Sequence, residues 1–426
     1  MLHDIAPSRV ASKLRFGSVI SRIFSVITLF ILILWMPSSI PAQCVTDGLA
    51  IGSGATHAEL DGSWAVRGSG SSVELLREEA GSWTTFQTID LAAATLTSLS
   101  LESEILAIGT SGQVQVLSYD GVNWLVEATL TEAGADSTYG STVRLSTDTL
   151  AVGSPGDDTI HFYTRLFTGG GSVVWVGSTS IIGDPGDGLG TDISMAGSHA
   201  SATAPGADEI RTYVFSGLQQ NQWSLETSLA YDSLAGSRLS MDSSNGELRL
   251  LAPTATGAEV YLMSASVWGL EGALTFTPAA DPALAISGDK VLVTTDCGLR
   301  LFSRSATTWN NGVALATFDQ NVACIAIPGA STSEPIAFGG NRAIVAEASA
   351  VWLMDESSYL DCNGNGTPDI CDLAAGFPDC NGNGIPDSCD FSSGTEDCND
   401  NSIIDVCEIL SGLASDCNGN GIPDVC

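Results

Sequence analysis

Toward the end of the chain, Asp, Asn and Cys recur at fixed offsets. Asp361, Asn363, Asn365 and Asp369 place side-chain oxygens at positions 1, 3, 5 and 9 of a short loop, and Asp372 adds a carboxylate at position 12. The set returns at Asp379, Asn381, Asn383, Asp387 and Asp390, and again at Asp397, Asn399, Asn401, Asp405 and Glu408. A fourth copy carries Asp416, Asn418, Asn420 and Asp424. A chain curling around one point supplies oxygens from alternating residues, and Gly at position 6 permits the sharp turn. Calcium needs about six to eight such oxygens. Four copies starting 18, 18 and 19 residues apart are a repeat and not a coincidence. Calcium is therefore the expected cofactor. Gly366 and Gly384 favour the first two loops, whereas Ser402 must adopt a turn that Gly makes easily. Asp at position 12 is shorter than Glu, which suits millimolar extracellular calcium.

Eight of the 11 cysteines lie in the same segment, at positions 2 and 11 of each copy. Cysteine density of this kind in an exported chain reads as a disulfide framework. Pairing within copies (Cys362/Cys371, Cys380/Cys389, Cys398/Cys407, Cys417/Cys426) and pairing between neighbouring copies have similar spacing. The first leaves no cysteine over and is the expected one. No C-x-x-C spacing points to zinc. Cys44, Cys297 and Cys324 have no assigned partners.

The charge balance is strongly acidic, −34 over 426 residues, and residues 361–426 hold 13 acidic residues and no Lys or Arg. Nucleic acid and anionic membrane are excluded as partners, because both need a basic surface. The acidic segment repels itself unless cations neutralise it. At the other end, Arg9, Lys13, Arg15 and Arg22 precede the apolar run Ile23 to Met36 and the small residue Ala42. The run is shorter than the roughly 20 residues of a membrane span. It reads as a signal peptide over 1–42, so a secreted or cell-surface protein with no membrane span after cleavage is expected.

Between these ends, residues 43–360 are rich in Gly, Ser, Ala and Thr, with short β-like runs and no sustained helical period. One set of seven runs is small and apolar, beginning at Ser63, Glu104, Asp148, His199, Glu247, Lys290 and Arg342. A second set of seven begins near Val73, Val114, Ile160, Ile210, Val260, Leu299 and Val351. Trp83, Trp124, Trp175, Trp223, Trp268 and Trp309 follow the second set, 41 to 51 residues apart. A period of about 40 to 50 residues with several strands per unit predicts a β-propeller. The expectation is an all-β, seven-bladed β-propeller with a small C-terminal calcium- and disulfide-stabilised loop-repeat tail over 361–426. The small first set is expected at the crowded centre, and the Trp series on outer strands against the next blade. The seventh unit lacks an outer strand, and Cys44 to Ile51 is expected to complete it.

The motif Tyr139-Gly140 through Leu145, followed by Leu150-Ala-Val-Gly-Ser-Pro155-Gly-Asp-Asp158, resembles an FG-GAP repeat. So does Gly183-Asp-Pro-Gly-Asp-Gly-Leu-Gly190 followed by Ala204-Pro205-Gly206. The resemblance implies the propeller of integrin α-subunits. It does not extend to the blade calcium loop Asp-x-Asp-x-Asp-Gly, which is absent. The tail resembles dockerin-type calcium loops and thrombospondin type 3 repeats. Only six or seven residues separate its loops, too few for a proper flanking helix, so a dockerin's partner-binding helix face is not implied.

No Gly-x-Ser-x-Gly elbow, P-loop or dinucleotide glycine pattern occurs. His57, His161 and His199 are dispersed. Ser118 to Trp124 is one residue short of a sialidase Asp-box. The expected function is non-catalytic: a propeller platform for an extracellular or cell-surface protein or polysaccharide, with the tail as rigid extension or attachment module. The alternative is a propeller enzyme acting on extracellular carbohydrate. It requires Arg, Tyr and Glu in the central channel, where the small first set argues against them.

Overall fold

The computed structural model describes residues 49–426 except 133, 135–136, 218–221, 231–237, 277, 279–281, 296–297, 306–307, 310–312, 315–335, 340–341, 347–349, 356–368, 375, 383–384, 394–396, 400, 402, 420 and 426. The leader, Cys44, Cys297, Cys324 and the boundary at residue 360 lie outside them. No described helix is long and apolar enough to cross a membrane.

The chain forms an all-β propeller. Six blades are each one continuous stretch of antiparallel strands, and a further sheet is composite. The first blade comprises His57–Asp61, Trp64–Ser69, Ser72–Glu79 and Ser82–Asp90. The inner strands of the next five are Leu96–Glu102, Thr142–Ser146, Ile193–Ala196, Ser240–Asp242 and Leu284–Ser287. In the composite sheet, Ile336–Gly339, Arg342–Ala346 and Ala350–Asp355 are joined at the outer edge by Leu49–Ser53. That strand pairs antiparallel with Ala350–Asp355, Leu49 opposite Leu353. Of the segment expected to complete this sheet, Cys44 to Ile51, the described residues from Leu49 onward take that place. The inner strand Ile336–Gly339 touches the inner strands of both the first and the sixth blade, which closes the ring of inner strands.

The small apolar runs are not innermost. Trp64–Ser69, Ile105–Thr110, Thr149–Ser154 and their equivalents are second strands, sandwiched between neighbours on both sides. Ile105–Thr110 is buried at every residue. Continuous burial, rather than crowding at an axis, is what selects small and β-branched residues there. The true inner strands are short and mix apolar with polar residues, so they carry no strong pattern of their own.

Blades adhere face to face. Trp64, Val66, Val73 and Leu75 of the first blade form one cluster with Leu99, Leu106, Ile108 and Trp124 of the second. The Trp series makes the same contact repeatedly, but with the preceding blade in the chain and not the next. Trp223 stacks on Phe162 of the blade before it, 4.3 Å between centroids. The indole nitrogens of Trp175, Trp268 and Trp309 donate to Glu127, Glu226 and Glu271 of the blade before each. A large apolar side chain with one polar tip suits an outer strand that is half wet.

The two motifs resembling FG-GAP form brackets between blades. Asp158 adopts φ 51° at the end of the turn Pro155–Asp157. Its carboxylate accepts the amides of Gly186 (2.8 Å) and Gly188 (2.6 Å). The loop so held presses its carbonyls onto glycines: a Cβ on Gly153 would lie 2.2 Å from the Gly190 oxygen, and one on Gly206 1.9 Å from the Gly186 oxygen. Only residues without a side chain fit there.

Candidate functional site

Of the predicted calcium ligands, Asp361, Asn363, Asn365, Asn383 and Asn420 lie outside the described residues. The third loop is described at all five positions. There Asn399 and Asn401 donate their side-chain amides to the two oxygens of Glu408, at 3.0 and 2.6 Å. The Asn401 backbone amide donates to Asp397 at 3.1 Å, and Asp405 accepts the Cys398 amide at 3.0 Å. Residues at positions 1, 3, 5 and 12 therefore belong to one network. The second loop repeats it in part: Asn381 donates to Asp390 at 2.8 Å, and Asp387 accepts the Cys380 amide at 2.9 Å. In the fourth, Asp416 accepts the amides of Gly419 and Gly421, and Asp424 that of Cys417. Asn418 is exposed. Gly382 and Gly419, at position 4, take φ near 70°, so these loops need glycine there as well as at position 6, where Gly421 has φ 79°.

Short helical segments do flank the loops. Asp369–Ala374, Asp387–Ser393 and Asp405–Ser411 each begin at position 9 and carry the position-12 carboxylate in the first turn. At six or seven residues each, they stay too short for a proper flanking helix, and they begin inside the loop itself. Acidic residues in a first turn also suit the helix N-terminus. Asp369, Asp372, Asp405 and Glu408 are buried. Burying carboxylates in a segment that contains no Lys or Arg is costly without a cation.

The described disulfide follows neither expected pairing. Cys380 of the second copy is bonded to Cys407 of the third, 27 residues on. Cys389 and Cys398 are also disulfide-bonded, and Cys417 is free. Cysteines nine apart sit on opposite ends of one loop, whereas positions 2 and 11 of successive loops are brought together. Because Cys380 and Cys407 are joined, their sulfurs beside Asp387 do not form a metal site.

A second locus was not legible in the sequence. The inner strands line a cavity of about 830 Å³. In several inner strands, alternate residues reach the next blade. Ser100, Ser194 and Ser240 accept the amides of Leu145, Met241 and Ile286. One step further along, Asp61, Glu102 and Asp242 accept those of Ser103, Thr147 and Gly288. These polar side chains are ties between blades. Two charged residues stand at the serine position: Glu59 in the first blade and Arg144 in the third. Arg144 reaches the Leu99 carbonyl of the preceding blade (3.4 Å) and approaches Glu59 to 3.9 Å. Arg238 also lines the cavity, and buried Asp192 lies within electrostatic reach of Arg144 and Arg238. The signal in the sequence was a long charged residue where sibling strands have Ser, visible only once the inner strands are known.

Burial pushes the Glu59 carboxyl up to about 7; Arg144 opposes this and Asp61 adds to it. Burial also raises Asp192 and Glu102. His57 is pushed down to about 4 by burial, aided by Arg238 and Arg144 and opposed by its bond to the Thr97 carbonyl. The cavity thus holds a carboxyl that burial raises toward neutrality, with a guanidinium 3.9 Å away.

These shifts predict a pH signature. Glu59 stabilises the fold below its ordinary 4.5, and that contribution is lost as pH rises through 7. His57 acts oppositely: its contribution is present above 6.5 and lost as pH falls through 4. In the overlap from 4.5 to 6.5 the two slopes oppose. Glu59→Gln should remove the falling arm, so that the variant gains on the parent by on the order of 2 kcal/mol between pH 4.5 and 8. Urea unfolding followed by Trp fluorescence reads this. A difference that does not change with pH would contradict it.

No family model matches the sequence, and no curated protein does. Solved structures do resemble it. A 6-phosphogluconolactonase described as putative, from Bacteroides fragilis, is 13% identical, covering 62% of this chain and 85% of that one, with a TM-score of 0.48. A chain of the mitotic checkpoint complex is 10% identical, covering 71% and 89%, with a TM-score of 0.50. At such identity a likeness bears on the fold alone, and the β-propeller rests on the strand pairing described above.

Proposed function

We propose that the chain is an exported, non-catalytic calcium-binding protein. The propeller, with the composite sheet counted as its seventh blade, is a platform for an extracellular or cell-surface protein or polysaccharide. Residues 361–426 are its calcium-set extension or attachment module, and the FG-GAP-like brackets between blades keep the platform rigid. The observation that carries the calcium reading is the third loop, where both oxygens of Glu408 hold the amides of Asn399 and Asn401 and Asp397 caps Asn401. Turning those amides offers their oxygens instead. Asp397, Asn399, Asn401, Asp405 and Glu408 would hold one ion, with equivalent sets in the other loops. Calcium would supply charge neutralisation and a fixed loop shape.

Calorimetric titration of the full chain with calcium tests this. Uptake of three to four ions is expected, and Glu408→Gln should weaken one of them at least tenfold, since it removes a charged ligand that can bind through both oxygens. No heat in the parent chain sinks the proposal. The second reading, a propeller enzyme on extracellular carbohydrate, is favoured by one observation, the Glu59–Arg144 pair in the cavity. It predicts turnover of a carbohydrate that disappears in Glu59→Gln.

A further inference from the structure

The Cys380–Cys407 bridge joins two loops at their ligand positions. Cys380 directly follows Asp379, position 1 of the second loop, and Cys407 directly precedes Glu408, position 12 of the third. Their Cα atoms are 5.6 Å apart. The amide of Cys380 orients the Asp387 carboxylate, position 9 of the second loop, at 2.9 Å. The amide of Cys407 bonds the Ile404 carbonyl at 2.9 Å, in the first turn of the helix that presents Glu408. A Asp387 carboxylate oxygen lies within 4.8 Å of both sulfurs. Between the two cysteines run Asn381, Asp387, Asp390, Asp397, Asn399, Asn401 and Asp405. The bridge therefore closes a ring of chain that contains most of the ligands of two successive loops.

We infer that the Cys380–Cys407 disulfide couples the second and third loops, so that they take up calcium as one cooperative, thiol-sensitive unit. This rests on the calcium reading above. An ion that fixes Asp379 and Asp387 fixes Cys380 between them, and through the bridge it fixes the backbone next to Glu408. The third loop then has less freedom to lose when it binds its own ion, which is positive coupling through pre-organisation. Cleavage by a dithiol such as dithiothreitol breaks the S–S bond. Each sulfur gains one electron and one proton, and the dithiol becomes its own disulfide. The free chain then has to order each loop separately.

The test is calcium calorimetry on three full-length proteins: the parent, the double variant Cys380→Ser with Cys407→Ser, and Cys417→Ser. Cys417 is free and exposed, so it controls for loss of a thiol as such. In the parent, two sites should titrate with a Hill slope above one. In the double variant those two should fall about tenfold in affinity with the slope reduced to one, while Cys417→Ser, in the fourth loop, leaves those two sites as in the parent. Resistance of the segment to limited proteolysis in calcium gives a second readout, expected to be lower in the double variant only. Unchanged affinity, slope and proteolysis in the double variant would overturn the coupling while leaving the calcium reading intact. Absence of heat in the parent would overturn both.

Discussion

Replacing Trp223 by Ala should cost the propeller about 3–5 kcal/mol, the cost of removing a large buried aromatic from a packed core. Trp223 is 3% exposed. It stacks on Phe162 at an interplanar angle of 11° and lies in a cluster with Ile193, Ala202 and Tyr213. Nothing can collapse into the space it leaves, because the blades on either side are pinned by their own strand pairing and by the ties between inner strands. Leu225, two residues along the same strand, is 56% exposed. Leu225→Ala should change stability by no more than about 0.5 kcal/mol. Denaturant unfolding of the two variants side by side checks the assignment of this Trp to blade packing; a silent Trp223→Ala would contradict it.

The second large effect is expected from calcium withdrawal. The segment 361–426 has little apolar material, and Leu410, Leu413 and Phe377 are exposed. Segments this small are held by metals or disulfides rather than by a core. With the Cys380–Cys407 bridge intact, chelation should leave a stapled but loosened chain. Its buried Asp405 and Glu408 would then have to be hydrated. Far-ultraviolet circular dichroism should lose the short helical segments and keep the strands.

The Trp series was legible because one residue type returns at one position in each unit, and that is also why its packing role was legible. Its direction was not: whether an outer strand meets the blade before or after it depends on the hand of the ring, which no spacing encodes. The inner strands were missed because their alternate residues serve neighbouring backbone amides. Ser100, Ser194, Asp61 and Glu102 therefore look like loop residues, and the small apolar second strands look like the centre. The error carried the channel with it, since Glu59 and Arg144 were never placed together. In the tail, the repeat of Asp and Asn at positions 1, 3, 5 and 9, with an acid at 12 in three copies, was visible from spacing alone. The disulfide was not, because cysteine spacing measures distance along the chain, and the loop curls so that position 2 meets position 11 of the copy that follows. Also invisible was a β-bulge at matching places in the blades, between Leu75 and Leu76, Val116 and Leu117, Thr212 and Tyr213, and Val260 and Tyr261, which leaves no residue signature.

If calcium is bound by the terminal loops and sets their structure while the propeller stands without it, hydrogen–deuterium exchange on the full chain, with calcium and after chelation, will show it. Strong protection of amides in 361–426 that is lost on chelation is expected, including those of Cys380, Cys398 and Asn401, with strand amides of the blades unchanged. Identical exchange of 361–426 in both conditions, or calcium-dependent protection confined to the blades, would contradict it.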